Sequence, residues 1–312
     1  MCFSPVCRAA QVLGMQARLA YREGMTVGTF REIAPGTYAR RSSELDLNCG
    51  LVVGSERALV IDTRSTTARG EELAAAVRAI TPVEQVVVNT HAHYDHCFGN
   101  AAFRDSQIYG HVGAAESLQR TAEHQRSQVV EHLRRTERPE LAQTYLDTEV
   151  VLPFYLVEDE VTPINLGDRT AYLIFGGRGH TDHDLVVAVP DVSAVFWADL
   201  VEQGADPAMD DSFPLEWAAT LADLLRHPHI EGARLHVPGH GAVVDLAFVE
   251  RQQETLAALA HELRAALATG VQDVDGLVAK TRGLGLQDAT LRDAAVRTLE
   301  TRSRTIDPNA AR

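Results

Sequence analysis

Between His91 and His96 the chain reads His-Ala-His-Tyr-Asp-His, three histidines and a carboxylate in six positions. Imidazole nitrogen and carboxylate oxygen are ligands for Zn²⁺ and comparable first-row cations. Such a run is either a metal site or a surface loop that happens to be rich in histidine. Its setting favours the metal. It directly follows the apolar run Val86-Val87-Val88, and loops at the ends of buried strands are where function concentrates. Side chains alternate in direction along extended backbone, so His91 and His93 can reach one ion while Asp95 and His96 turn toward a second.

Further donors stand at the ends of later apolar runs. His180 follows YLIFGGRG, Asp199 closes AVFWAD, and His240 follows LHVPG, with glycines beside His180 and His240 that let the backbone bend sharply. Each alone is an ordinary polar residue; at matching positions after successive strands they form a constellation. His183 is close enough in sequence to hydrogen-bond a ligand. His111, His124, His132, His227, His229, His236 and His261 have no such context and read as surface or core residues. Cys97 is expected to point its thiol away from the metals, Tyr94 and Phe98 to pack around the loop, and Gly99-Asn100 to turn it.

The elements that must position these donors come in two β-rich series. The first runs from Thr29 to Thr63, continues through the helical pattern TARGEELAAAVRAI, with Leu73, Ala76, Val77 and Ile80 on one stripe, and reaches the strand VEQVVVNT. NAAF begins a short helix and SQIYG is a strand. Residues 111–149 are polar and helical, divided at Pro139, and VVLPFYLVEDEVTPINLG is an apolar stretch with several breakers. The second series comprises RTAYLIFGG, DLVVAVP, SAVFWADL, the helix FPLEWAATLADLLRH and the strand ARLHVPGH. From Leu246 to about Ser303 the pattern is helical, broken at Gly270 and at Gly283 and Gly285. Two mixed sheets packed face to face, with helices outside, are the expected α/β architecture.

Composition narrows the partners. The formal net charge is −14 and Lys280 is the only lysine, which argues against a nucleic-acid partner. No apolar run approaches the ~20 residues of a membrane helix. The four cysteines, Cys2, Cys7, Cys49 and Cys97, form no CxxC pair, so a reducing, cytoplasmic setting is the simpler expectation. Residues 1–24 are expected to be a flexible extension, residues 25–245 the main domain with a lid-like helical insertion at 111–160, and residues 246–312 a C-terminal helical extension.

H-x-H-x-D-H, then Gly179-His180-Thr181, then Asp199, then Pro238-Gly239-His240-Gly241, in that order, resemble the motifs of the metallo-β-lactamase-fold superfamily of metallohydrolases. The resemblance runs from about Thr29 to Asp245, and Asp62, in a Val-Ile-Asp-Thr stretch, matches a further family position. It implies a four-layer αββα sandwich with a dinuclear metal centre at one edge. One metal would take His91, His93 and His180, the second Asp95, His96 and His240, and Asp199 would bridge them. Two zinc ions per chain are implied, with iron or manganese as other possibilities. Asp184 would support a loop, and Asp95 would also accept the proton of a metal-bound hydroxide nucleophile. The two main zinc subclasses of β-lactamase usually carry cysteine or serine where this chain has Asp199. A bridging aspartate is more similar to glyoxalase II, lactonases, thioesterases and phosphodiesterases. The resemblance therefore implies a hydrolase of a small-molecule ester, thioester or lactone. An iron persulfide dioxygenase-like oxidoreductase, a β-lactamase and a phosphodiesterase are the alternatives.

Overall fold

Strands that alternate apolar side chains between two buried faces need a layer on each side, and both β series meet that need. The computed structural model describes residues 28–306; the expected extension at residues 1–24 lies outside them. The first sheet has seven strands in chain order: β1 (Arg31–Ala34), β2 (Thr37–Arg41), β3 (Asn48–Val53), β4 (Arg57–Ile61), β5 (Glu84–Asn89), β6 (Gln107–His111) and β7 (Tyr155–Val157). From β1 to β4 the pairing is antiparallel, and from β4 to β7 it is parallel. Parallel neighbours require crossovers. These are helix α1 (Thr67–Ile80), the short helix α2 (Tyr94–Cys97) with a 3-10 segment (Phe98–Phe103), and the pair α3 (Val112–Arg135) and α4 (Pro139–Leu146). The parallel arrangement brings the C-terminal ends of β4 and β5, and so Asp62 and His91, to one edge.

The second sheet has the order β12-β11-β10-β9-β8, formed by β8 (Val161–Asn165), β9 (Thr170–Phe175), β10 (Leu185–Val189), β11 (Ala194–Glu202) and β12 (Leu235–His240). Helix α5 (Trp217–Leu225) makes the crossover to β12, which pairs parallel with β11. Helices α6 (Leu246–Ala268), α7 (Val274–Thr281) and α8 (Asp288–Ile306) complete the outer layer. The apolar stretch before β9 divides because its two halves serve different sheets. β7 joins the first and β8 the second, with Glu158, Asp159 and Glu160 between them.

Three apolar layers hold the αββα sandwich together. Leu59, Ile61, Val86 and Val88 face Leu173, Leu185, Val187 and Phe196 between the sheets. Their neighbours along the same strands, Ala58, Val60 and Val87, turn outward onto Leu73 and Val77 of α1, as the two-residue strand period requires. On the far side Ile174, Val186 and Trp197 pack with Trp217, Leu221, Leu256, Leu259, Leu263, Leu277 and Leu291. Each of these buried aliphatic side chains contributes about 1.5–3 kcal/mol. The stripe Leu256, Leu259, Ala260 and Leu263 on α6 is thus covered by the sandwich. Among the described residues no helix is long and apolar enough to cross a membrane.

One backbone contact pins the histidine loop to this frame. Gly99 N donates to Arg64 O at 2.9 Å, and a Cβ on Gly99 would lie 1.9 Å from Thr63 O. Gly70 of α1 approaches from the other side, where a Cβ would meet Gly99 O at 2.3 Å. Backbone cannot swing aside as a flexible side chain can. Gly99→Ala should therefore cost about 2–3 kcal/mol, at the upper end of overpacking penalties. Urea unfolding would show it as a lowered midpoint at constant slope; a loss below ~0.5 kcal/mol would contradict the contact.

Candidate metal centre

Asp62 follows β4 with a left-handed backbone (φ 61°), which aims its carboxylate at the start of the histidine loop. Its side chain is 3% exposed. It accepts from Thr90 N at 2.8 Å and from Thr90 Oγ1 at 2.9 Å, and it lies 2.8 Å from His96 Nδ1. A carboxylate can only accept, so His96 carries its proton on Nδ1 and turns the Nε2 lone pair inward. The Thr90 hydroxyl, having donated to Asp62, accepts from His91 Nδ1 at 3.1 Å and leaves His91 Nε2 free in the same way. His96 Nε2 is fully buried, has no hydrogen-bond partner, and stands 3.2 Å from Asp199 Oδ1. A cation ligated by both is the arrangement such a pair of atoms suits.

The remaining donors are oriented by equivalent means. His180 Nδ1 lies 3.3 Å from Ala208 O, and His240 Nδ1 lies 2.7 Å from Leu45 O, a carbonyl presented by another residue of positive φ. His93 is reversed: its Nε2 lies 3.0 Å from Asp211 Oδ2, and its Nδ1 faces inward. Asp199 gets its direction from an irregularity in the β11–β12 pairing at Ala198, whose φ is 47°. Gly239 on β12 leaves the room, since a Cβ there would sit 1.9 Å from Asp199 Oδ1.

These inward atoms fall into two groups, each within 4.8 Å: His91, His93, His180 and Asp199, and then Asp95, His96 and His240. His93 Nδ1 is 3.0 Å from both His91 Nε2 and His180 Nε2. Asp199 Oδ2 lies 3.6 Å from His180 Nε2 and 3.4 Å from His240 Nε2, so this one carboxylate faces both groups. Asp95 Oδ2 lies 3.5 Å from His240 Nε2 and 3.8 Å from His96 Nε2. Zinc–nitrogen bonds of about 2.0–2.1 Å place tetrahedral ligand atoms roughly 3.3 Å apart, within the span of these separations. All seven ligand candidates from the sequence are therefore brought together, in two groups whose donors suit a cation.

Burial and the surrounding carboxylates pull the imidazoles of the cluster in opposite directions. Burial lowers His91 well below the usual imidazole range, helped by the neighbouring His96 and His93. Burial also pulls on His93, but Asp211, with Asp210 and Asp95 behind it, carries it up to about 9. Burial likewise opposes His96, and Asp199, Asp62 and Asp95 raise it well above its ordinary value. Asp211 moves the other way, held down by His93 against its own burial.

The other residues of the loop act on its backbone. Asp184 accepts from Thr181 N at 2.8 Å and from Thr181 Oγ1 at 2.6 Å, closing the turn after His180. His183 Nε2 accepts from Ala92 N at 3.3 Å, so it supports the loop rather than facing the centre. Cys97 donates its thiol to His93 O at 3.0 Å, and burial keeps that thiol protonated. Gln125 of α3 brackets the loop, accepting from Tyr94 N at 2.8 Å and donating to Ala92 O at 3.0 Å. Of the other histidines, His111 caps α3 by accepting from Gly113 N, and His236 accepts from Trp197 Nε1. Sequence reasoning missed Asp211 and assigned Asp62 no task. The only available signal for Asp211 was an Asp210-Asp211 pair in the loop after Asp199.

A helix-flanked sandwich of two sheets, gathering histidines and aspartates from strand ends at one edge, defines a metallo-β-lactamase-type protein. The Metallo-beta-lactamase superfamily matches residues 44–245, and the chain belongs to that superfamily. TMB-1 superposes with a TM-score of 0.59 at 18% identity, over 76% of this chain and 100% of its own. A metallo-beta-lactamase from Pontibacter korlensis gives 0.58 at 20% identity, over 73% and 98%. FIM-1 from Pseudomonas aeruginosa, solved in its mono-zinc form, gives 0.55 at 17% identity, over 74% and 95%. At such identities the likeness is one of fold. No curated protein matches the chain in sequence.

Two outcomes follow from this geometry. Asp62→Ala should leave the chain folded and weaken both equivalents of Zn²⁺, the one facing His96 about 10–100-fold, the usual effect of losing the partner that orients a ligand, and the one facing His91 less. Competition against a chromophoric chelator would read it; two unchanged equivalents would contradict the role. A ligating imidazole must be neutral, yet His93, raised to about 9, holds its proton at pH 7. Cation affinity should thus climb from pH 7 toward 9, about tenfold per unit for each proton displaced, and then flatten. Calorimetry in buffers of different ionisation enthalpy should find at least one proton released per chain at pH 7.

Proposed function

We propose that the protein is a dinuclear zinc-dependent hydrolase that cleaves a small-molecule ester, thioester or lactone. The observation that carries this reading is the division of seven buried or half-buried donors into two groups that both face Asp199. Bound zinc would supply a hydroxide nucleophile at neutral pH and polarise the oxygen of the scissile group. His91, His93 and His180 would hold one ion, Asp95, His96 and His240 the other, and Asp199 both. Asp95 is the candidate proton acceptor, with Oδ2 set between His96 and His240 at the heart of the cluster. The mono-zinc form in which FIM-1 was solved supports zinc as the cation.

Charge at the open side favours uncharged substrates. The His93 side chain is 21% exposed and that of Asp211 41%, whereas the members of the second group are all buried. Asp211 lies close enough to Asp182 to raise its carboxyl, and Asp210 close enough to His93 to raise its imidazole. An acidic rim repels phosphodiesters and carboxylates and admits a neutral ester or lactone. Arg178, the nearby exposed cation, is occupied by Glu216 at 2.7 and 2.9 Å. Cys49 and Cys97 are both free and buried, which supports a reducing, cytoplasmic setting.

Metal analysis of freshly purified protein should find two zinc ions per chain. One iron with oxygen uptake on a persulfide would replace this reading with the oxidoreductase one. Against a panel of lactones, thioesters, nitrocefin and phosphodiesters, neutral lactones or esters should be cleaved fastest. Asp95→Asn at equal metal content should lower kcat about 10²–10⁴-fold, with KM little changed. A kcat near that of the unmodified enzyme would remove Asp95 from proton transfer.

A further inference from the structure

Residues 203–216, between β11 and α5, contain neither helix nor strand, yet they supply two orienting partners of the first donor group. The Asp211 carboxylate meets His93 Nε2 and the Ala208 carbonyl faces His180 Nδ1. A segment without a ladder of its own must be placed from outside. One anchor lies close by: Glu202 Oε1 accepts from Ala208 N at 3.1 Å. Phe213 N donates to Gly179 O at 2.8 Å and Gln203 N to His240 O at 3.0 Å, and Arg264 reaches Leu215 O. Further anchors come from α8, more than 70 residues further along the chain and beyond the part that matches the superfamily.

At the start of α8, Asp206 Oδ2 accepts from Gln287 N at 2.7 Å and from Thr290 Oγ1 at 3.0 Å. Two turns on, Arg297 is 8% exposed and reaches the other end of the same loop. Its Nε donates to Ser212 O at 3.0 Å and its Nη2 to Asp211 O at 2.9 Å. Its guanidinium also lies over the Phe213 ring, 5.6 Å from the centroid, while Nη1 is held by Glu300 Oε2 at 2.9 Å. A planar fork that grips two successive carbonyls fixes their orientation as well as their position, which the single ammonium of lysine cannot do. The residue gripped through its carbonyl, Asp211, is the one whose carboxylate sets the ring of His93.

We propose that Arg297 is a positioning residue of the metal centre: through it α8 holds residues 206–213 so that Asp211 and Ala208 orient His93 and His180. The inference rests on the reading that the centre binds a cation. It makes the C-terminal helix part of the site as well as a cover for the sandwich.

The test measures Zn²⁺ affinity by chelator competition, alongside urea unfolding, in the full chain and in Arg297→Lys, Arg297→Ala and Asp206→Ala. In Arg297→Lys the first group should lose about 10–100-fold in affinity and the second should keep its own. Arg297→Ala should lose at least as much, and Asp206→Ala less. A lysine that still pairs with Glu300 and restores the unfolding midpoint, but not the affinity, supports positioning through the fork. The loss from Arg297→Lys should also shrink in an Asp211→Asn background, because both act through the same imidazole. Folded Arg297→Lys with two equivalents at the affinity of the unmodified chain overturns the inference, as does a lowered midpoint with unchanged affinity. If the unmodified chain takes up no Zn²⁺, the metal-centre reading falls first and this inference with it.

Discussion

The Asp62 carboxylate joins two sheet strands to two imidazoles. It ties the end of β4 to Thr90 at the end of β5 and fixes His96 directly and His91 through the threonine hydroxyl. A non-glycine residue at φ 61° is strained by about 1–2 kcal/mol, and it persists only where several bonds demand that conformation together. Here the demand comes from parallel pairing. β4 and β5 end side by side, so a carboxylate leaving one strand can cap the backbone of the other. The tautomers of both rings then follow without further contacts.

The other donors repeat this logic with different partners. A carbonyl from a left-handed turn serves His240, a loop carbonyl serves His180, and a second aspartate serves His93. Ala208 and Asp211 belong to one loop, which α8 holds, and Leu45 to a separate turn. The turn at Leu45 is held by the Arg41–Asp46 pair and by Glu44, which bonds Ser65 and Arg64. Such a centre is assembled by tertiary structure. Its carboxylates raise His93 and His96 against the pull of burial, Asp211 acting on the first and Asp199 and Asp62 on the second.

Legibility in the sequence followed the kind of group involved. His91, His93, Asp95 and His96 stood out because ligand-type side chains crowd one strand end; His180, Asp199 and His240 stood out because each closes an apolar run. The layers of the sandwich were readable from apolar periodicity, and the break at Pro139 from proline chemistry. The partners that orient the ligands were not. Leu45 and Ala208 act through carbonyls, which every residue has, so no residue type marks them. Arg297 on an amphipathic helix looks like an ordinary solvated charge until α8 is seen to dock on the loop before α5. Nor was the brace on the histidine loop legible: Gln125 of α3 bonds the backbone on both sides of His93.

The two donor groups differ in a way that bears on how chemistry could proceed. Asp95, His96 and His240 are buried beneath the loop, while His93 and its partner Asp211 reach the surface. Under the proposed hydrolase reading, a substrate would arrive from the side of the first group, with the second group behind it. Asp199 stands between them, turned by the irregularity at Ala198 and given room by Gly239. Displacing that carboxylate would disturb both groups at once, whereas the segments that orient His93 and His180 act on the first alone. Asp210 and Asp211 of the rim lie in the loop that α8 holds, so the open side of the centre and its ligand geometry are coupled.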